Sequence, residues 1–146
     1  MKNILTDIIK NMNNVSDFTT EADLKFYIAK KLEDEYEKII LEYKFDNDRH
    51  HVDIFIPSKK TCLEFKFNKK TQGGATQARN NFRKDINILK NKKKKGCECY
   101  AVFITNLDTT YDKANKEKNL KSNLIKEKLD WYPIPSSDYY YTIKQI

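Results

Sequence analysis

At 146 residues the chain has the length of one domain, able to bury about two-thirds of the surface its unfolded form exposes. Its 28 basic against 21 acidic residues leave a formal charge of +7, which suits an anionic partner such as nucleic acid but is milder than a histone-like tail. No stretch approaches a transmembrane run, Asp7 and Lys10 interrupt the apolar residues a signal peptide would need, and an odd count of three cysteines argues against a disulfide framework; a cytoplasmic protein without membrane contact is expected.

Residues 1–15 carry Ile4, Leu5, Ile8, Ile9, Met12 and Val15 at spacings of three and four, which predicts an N-terminal helix packed on the domain or, alternatively, on a second copy in a homodimer. A second helix is predicted from Thr20 to about Tyr36. Thr20 with Asp23 three residues on resembles a capping box, and Leu24, Ile28 and Leu32 mark the buried face. Glu21 falls in its first turn on that buried side, where the helix dipole favours a carboxylate. Residues 39–45 alternate Ile39, Leu41, Tyr43 and Phe45 against Ile40, Glu42 and Lys44, as a strand with one mostly polar face does.

The stretch from His50 to Phe67, HHVDIFIPSKKTCLEFKF, predicts an antiparallel hairpin turning at Pro57-Ser58-Lys59-Lys60. If Ile56 pairs with Thr61, Asp53 stands opposite Glu64. Strand alternation then sets His51, Asp53, Phe55, Cys62, Glu64 and Lys66 on one face. Val52, Ile54, Ile56, Leu63, Phe65 and Phe67 point the other way, into a core. Two opposed carboxylates lie with Cβ atoms roughly 5 Å apart and repel, so a cation is expected between them, with Lys66 beside it. A divalent ion held by carboxylates and water, next to a positioned ammonium, is an arrangement for hydrolysis. The plain alternative is a solvated face of an edge hairpin.

After the flexible Gln72-Gly73-Gly74, a helix over about 75–90 is predicted to bury Ala75, Ala78, Phe82, Ile86 and Leu89. Its other face carries Gln77, Arg79, Asn80, Arg83 and Lys84. The basic run Lys92, Lys93, Lys94 and Lys95 reads as a loop, either solvated or contacting phosphates. Cys97 and Cys99 lack a second pair at zinc spacing and read as the start of a strand. The apolar run Tyr100 to Ile104 suits a central strand covered on both faces. A charged amphipathic helix over about 112–129 and an edge strand over 139–143 complete the chain. Trp131, Tyr132 and Tyr139 to Tyr141 would either stack on bases or pack in the core and rim.

Asp53, ten intervening residues and then Glu64-Phe65-Lys66 resemble the PD-(D/E)XK nuclease superfamily, which includes type II restriction endonucleases and archaeal Holliday-junction resolvases. The signature Pro before the Asp is replaced by Val52, and the resemblance covers about Glu21 to Asn106. It implies a three-layer α/β fold with a central mixed sheet flanked by helices, also what the element order suggests. The expected organisation is a single domain over 1–146, with an N-terminal helix (1–15), a nuclease core (about 20–106), and a C-terminal helix and edge strand (107–146).

The resemblance further implies an endonuclease hydrolysing DNA phosphodiester bonds to leave 5′-phosphate ends. Mg2+, replaceable by Mn2+, would be held by Asp53, Glu64, the Phe65 carbonyl and Glu21, with Lys66 as the water-orienting cation. In that family the helix after the catalytic strand often supplies a Gln or basic residue, which points to Gln77. One subset has a Tyr four residues later, where this chain has Asn81. Arg79, Arg83 and Lys92 to Lys95 are the candidate nucleic-acid contacts. An RNA-directed nuclease and a non-catalytic DNA-binding or regulatory module on a degenerate nuclease fold remain the alternatives.

Overall fold

A computed structural model describes residues 1–69, 75–106 and 129–146. Its sheet is built around the most apolar stretch. Strand β4 (Glu98–Thr105) is buried from Cys99 onward, as a strand flanked by neighbours and covered on both faces must be. It pairs in parallel with β3 (Thr61–Asn68) and antiparallel with β6 (Tyr140–Gln145). With β1 (Ile40–Lys44), β2 (His51–Ile56) and β5 (Tyr132–Pro133), the sheet has six strands in the order β1-β2-β3-β4-β6-β5.

Helices α1 (Lys2–Lys10) and α2 (Glu21–Leu32) cover one face. Leu5, Ile9, Leu24, Ile28 and Leu32 interlock there with Ile54, Ile56, Leu63, Phe65, Val102 and Ile104. Helix α3 (Ala75–Lys94) makes the parallel crossover between β3 and β4 and covers the other face, with Ala78, Phe82, Ile86 and Leu89 packed on Phe55, Cys62, Ala101 and Phe103. The result is a three-layer α/β fold with a mixed sheet. Among the described residues no helix is long and apolar enough to cross a membrane.

Local chemistry sets the ends of these elements. Thr20 caps α2 by accepting from the Asp23 N–H, while the Asp23 carboxylate accepts from the Thr20 N–H at 2.7 Å; two of the helix's unpaired donors are satisfied reciprocally. The hairpin turns through a short 3₁₀ segment at Pro57–Lys59, closed by Lys60 in the left-handed region. Ile56 pairs with Thr61, the register expected.

Several boundaries differ from expectation. The first helix ends at Lys10, and Val15 enters the core from a separate 3₁₀ turn, Val15–Asp17. The second helix stops at Leu32. Val52 packs with Phe55 under α3 rather than with Ile54, so the strict alternation breaks at Asp53. Helix α3 runs to Lys94 and absorbs most of the lysine run, because lysine is a good helix former and the turn waits for Gly96, whose φ of +84° suits a residue without Cβ. The final strand is not an edge, since β5 pairs with it at Tyr132↔Tyr141 and Pro133↔Tyr140. The helix expected over 112–129 lies outside the described residues except for Leu129.

Candidate active site

The site lies where β2 and β3 part. Their ladder runs through Ile56↔Thr61, Phe55↔Cys62 and Ile54↔Leu63, while β3 stays paired with β4 as far as Asn68↔Thr105. Past Leu63, side-chain carboxylates take the donors that β3 turns toward the fork. The Phe65 N–H donates to Asp53 Oδ2 at 2.7 Å, and the Phe67 N–H to Glu21 Oε2 at 3.2 Å. A strand residue presents its N–H and C=O to the same edge, so the Phe65 carbonyl also faces the fork. Asp53 is fixed from β1 as well, between the pairs Leu41↔Ile54 and Tyr43↔Val52. The residue across from it, Glu42, has a φ of +48°, which is uncommon for a side chain outside Gly, Asn and Asp.

Two lysines enter this ring of carboxylates. Lys25, from α2, places Nζ 2.7 Å from Asp53 Oδ1, 2.9 Å from Glu42 Oε1 and 3.9 Å from Glu21 Oε1. Burial works against its charge, but the hydrogen bonds to Asp53 and then Glu42 outweigh it and raise its pKa. Lys66 Nζ stands 2.7 Å from Glu21 Oε2.

Glu64 is only 6% exposed, and its Oε1 is enclosed without a hydrogen-bond donor. Burial first, then the negative charges of Asp53 and Asp85, push its carboxyl up to about 10, so at neutral pH it holds a proton. Its strand neighbour on β4 is Ala101, which leaves room beside the carboxyl. Asp85, from α3, is pushed up to about 6, chiefly by burial and against the pull of Lys66; its Oδ2 likewise lacks a partner.

Of the residues singled out from sequence, the fold brings Asp53, Glu64, Phe65, Lys66 and Glu21 together. Glu21 is held on Lys66 and the Phe67 N–H, the geometry of a residue that positions Lys66. Gln77 is exposed and its amide donates to Asn81 Oδ1 at 2.9 Å. The Arg79 side chain lies outside the described residues, and Arg83 is half-buried. Lys93, Lys94 and Lys95 are exposed. Lys92 is 1% exposed and turned inward: its ammonium pairs with Asp48, donates to the His50 carbonyl at 3.0 Å and lies 4.9 Å from the centre of the Phe45 ring. Tyr139 and Tyr141 are core residues, and Trp131 packs edge-on against Phe103.

Sequence reasoning missed Lys25, Glu42 and Asp85. Lys25 stands four residues after Glu21, the spacing of helix-face neighbours. Asp85 interrupts the apolar stripe Ala78, Phe82, Ile86, Leu89, three residues after Phe82; an acid inside such a stripe is a signal of burial. Nothing in the sequence marks the backbone of Glu42.

The buried, unpartnered Glu64 Oε1 next to Asp53 and the fork-facing Phe65 carbonyl form a hard-oxygen donor set that fits a divalent cation. Among the described residues no group of three or more His, Cys, Asp or Glu is arranged to hold a metal ion. A magnesium site of two carboxylates, a carbonyl and water does not require one. Comparison with known proteins returns no match to a family model, to a curated protein or to a solved structure.

Proposed function

We propose that the chain is a metal-dependent nuclease of the PD-(D/E)XK type, acting on DNA phosphodiester bonds. The observation that carries the reading is the fork itself. Asp53 and Glu64 converge at the point where the ladder opens, Glu64 keeps an enclosed oxygen without a donor, and Lys66, two residues further along β3, is held by Glu21. A proton trapped on a buried acid between other acids marks a place that favours a cation.

Asp53, Glu64 and the Phe65 carbonyl would hold Mg2+ or Mn2+. When bound, such an ion lowers the pKa of water and neutralises charge on the phosphoryl group. Lys66 orients the attacking water and offsets negative charge developing on the phosphate, and Glu21 keeps its ammonium from swinging away. The water oxygen bonds to phosphorus, the bond from phosphorus to the 3′-oxygen breaks, the 3′-oxygen gains a proton, and the phosphate stays on the 5′ end.

A second reading, a DNA-binding module without catalysis, is favoured by one observation: Lys25 already neutralises Asp53. One experiment separates the two. Purified protein is incubated with supercoiled, linear, branched and single-stranded DNA, and with RNA, with and without Mg2+. Cleavage is expected only with the metal, and is expected to vanish in Asp53→Asn, Glu64→Gln and Lys66→Ala variants. Binding without cleavage on every substrate would favour the module. Near wild-type cutting by any two of the variants would remove the proposed site.

A further inference from the structure

One central charge has no task in the hydrolysis. Lys25 sends its ammonium into the carboxylate ring from α2, only 17% exposed, with Asp53 on one side and Glu42 on the other at nearly equal distances. The two carboxylates differ in what surrounds them. Asp53 is 11% exposed and shares the fork with the unpartnered Glu64 Oε1; Glu42 is 60% exposed at the rim, on a residue whose left-handed backbone lies across from Asp53.

We propose that Lys25 is a resident cation that competes with the divalent ion for Asp53, and that loading the ion sends its ammonium to Glu42 at the rim. This rests on the metal-dependent reading of the fork. An ion held by Asp53 and Glu64 would stand within a few ångströms of an ammonium that touches Asp53 Oδ1, and two cations sharing one carboxylate repel strongly in a partly buried site. The lysine has a second seat already in contact, so it need not break both ion pairs or enter bulk water. Lys25 therefore keeps the carboxylates together when the ion is absent and weakens the ion's binding.

Mn2+ binding by the full chain, measured by isothermal titration calorimetry and by the electron paramagnetic resonance signal of free Mn2+, tests the competition. Lys25→Met keeps the aliphatic stem and removes the charge. It is expected to bind Mn2+ tighter than the wild type by on the order of tenfold, and a Lys25→Met/Asp53→Asn double variant is expected to lose that binding. A lysine that merely supports the fold predicts equal or weaker binding, and that result, with wild-type binding dependent on Asp53, overturns the inference alone. Glu42→Gln, a rim change that spares the core, removes the second seat and is expected to weaken Mn2+ binding several-fold; unchanged binding there overturns the inference even if Lys25→Met fails to fold. If no protein binds Mn2+ through Asp53, the metal-dependent reading fails and the inference with it.

Discussion

Asp53 and Glu64 meet the repulsion expected of opposed carboxylates in different surroundings. Asp53 is surrounded by donors, the Lys25 ammonium and the Phe65 N–H, whereas Glu64 has burial and acids around it and keeps its proton. Asparagine at position 53 can still accept from Phe65 but turns its amide protons toward Lys25. We therefore expect Asp53→Asn to destabilise the metal-free protein by about 1–2 kcal/mol, since it turns amide protons toward a partly buried ammonium that keeps only its seat on Glu42 in close contact; a urea melt in EDTA measures the difference. From the hairpin register alone, removing one of two repelling charges would be neutral or stabilising.

Glu64→Gln has the opposite sign. The folded protein retains a proton that the unfolded chain releases near the ordinary value of 4.5. Wild-type stability is therefore expected to fall as pH climbs from that value toward about 10 and to level off above. A glutamine does not titrate, so the variant's melting curve in EDTA should be flatter with pH and should lie above the wild type at about pH 8–9. A parallel pair of curves would mean that Glu64 is ionised in the folded protein.

Helix α3 shows how far periodicity can be read. Its apolar stripe is legible in Ala78, Phe82, Ile86 and Leu89, and it correctly assigns the face that meets the sheet. The same stripe continues through two charges, Asp85 and Lys92, at the three-residue steps after Phe82 and Leu89. Charge type alone sends both to solvent; position on the helix is the stronger guide. Lys92 tolerates burial because Asp48, the His50 carbonyl and the Phe45 ring surround its ammonium, locking the end of α3 to the turn between β1 and β2. Lys92→Met should cost about 2 kcal/mol in a urea melt, since it leaves the carbonyl bare and Asp48 with the His50 N–H and the exposed Lys95. The matching change at exposed Lys93 should stay within about 0.5 kcal/mol. Equal effects at the two positions would place Lys92 on the surface.

Across the whole molecule, the strands from β1 to β4 were readable, and β6 too except for its place inside the sheet, while the short rim strand β5 was not. β4 announces itself by an unbroken apolar run, and the hairpin by its turn and by the apolar face of β3. The two-residue β5 carries no periodicity at all, and the parting of β2 from β3 depends on side chains arriving from α2. The charges are layered too, with acids and two lysines gathered inside the fork and lysines crowding the exposed end of α3. Lys93, Lys94 and Lys95 belong to that outer layer. Replacing these three with Ser should weaken nucleic-acid binding across all sequences and flatten its salt dependence by up to about 0.9 log unit for each phosphate no longer neutralised. Filter-binding titrations at several salt concentrations measure this, and an unchanged slope would remove the end of α3 from the proposed interface.

The carboxylates that replace a neighbouring strand along β3 also make the backbone a witness to the chemistry. The Phe65 and Phe67 amide protons end on Asp53 and Glu21 instead of on carbonyl oxygens, so whatever alters the charge on those side chains alters the resonance of a main-chain amide. These positions lie on the same edge of one strand, two residues apart, and one answers to the carboxylate beside Glu64 while the other answers to the carboxylate that holds Lys66. An amide spectrum of the intact protein thus carries separate channels for the Asp53 side and the Lys66 side of the fork, with no label attached and no residue of the site replaced.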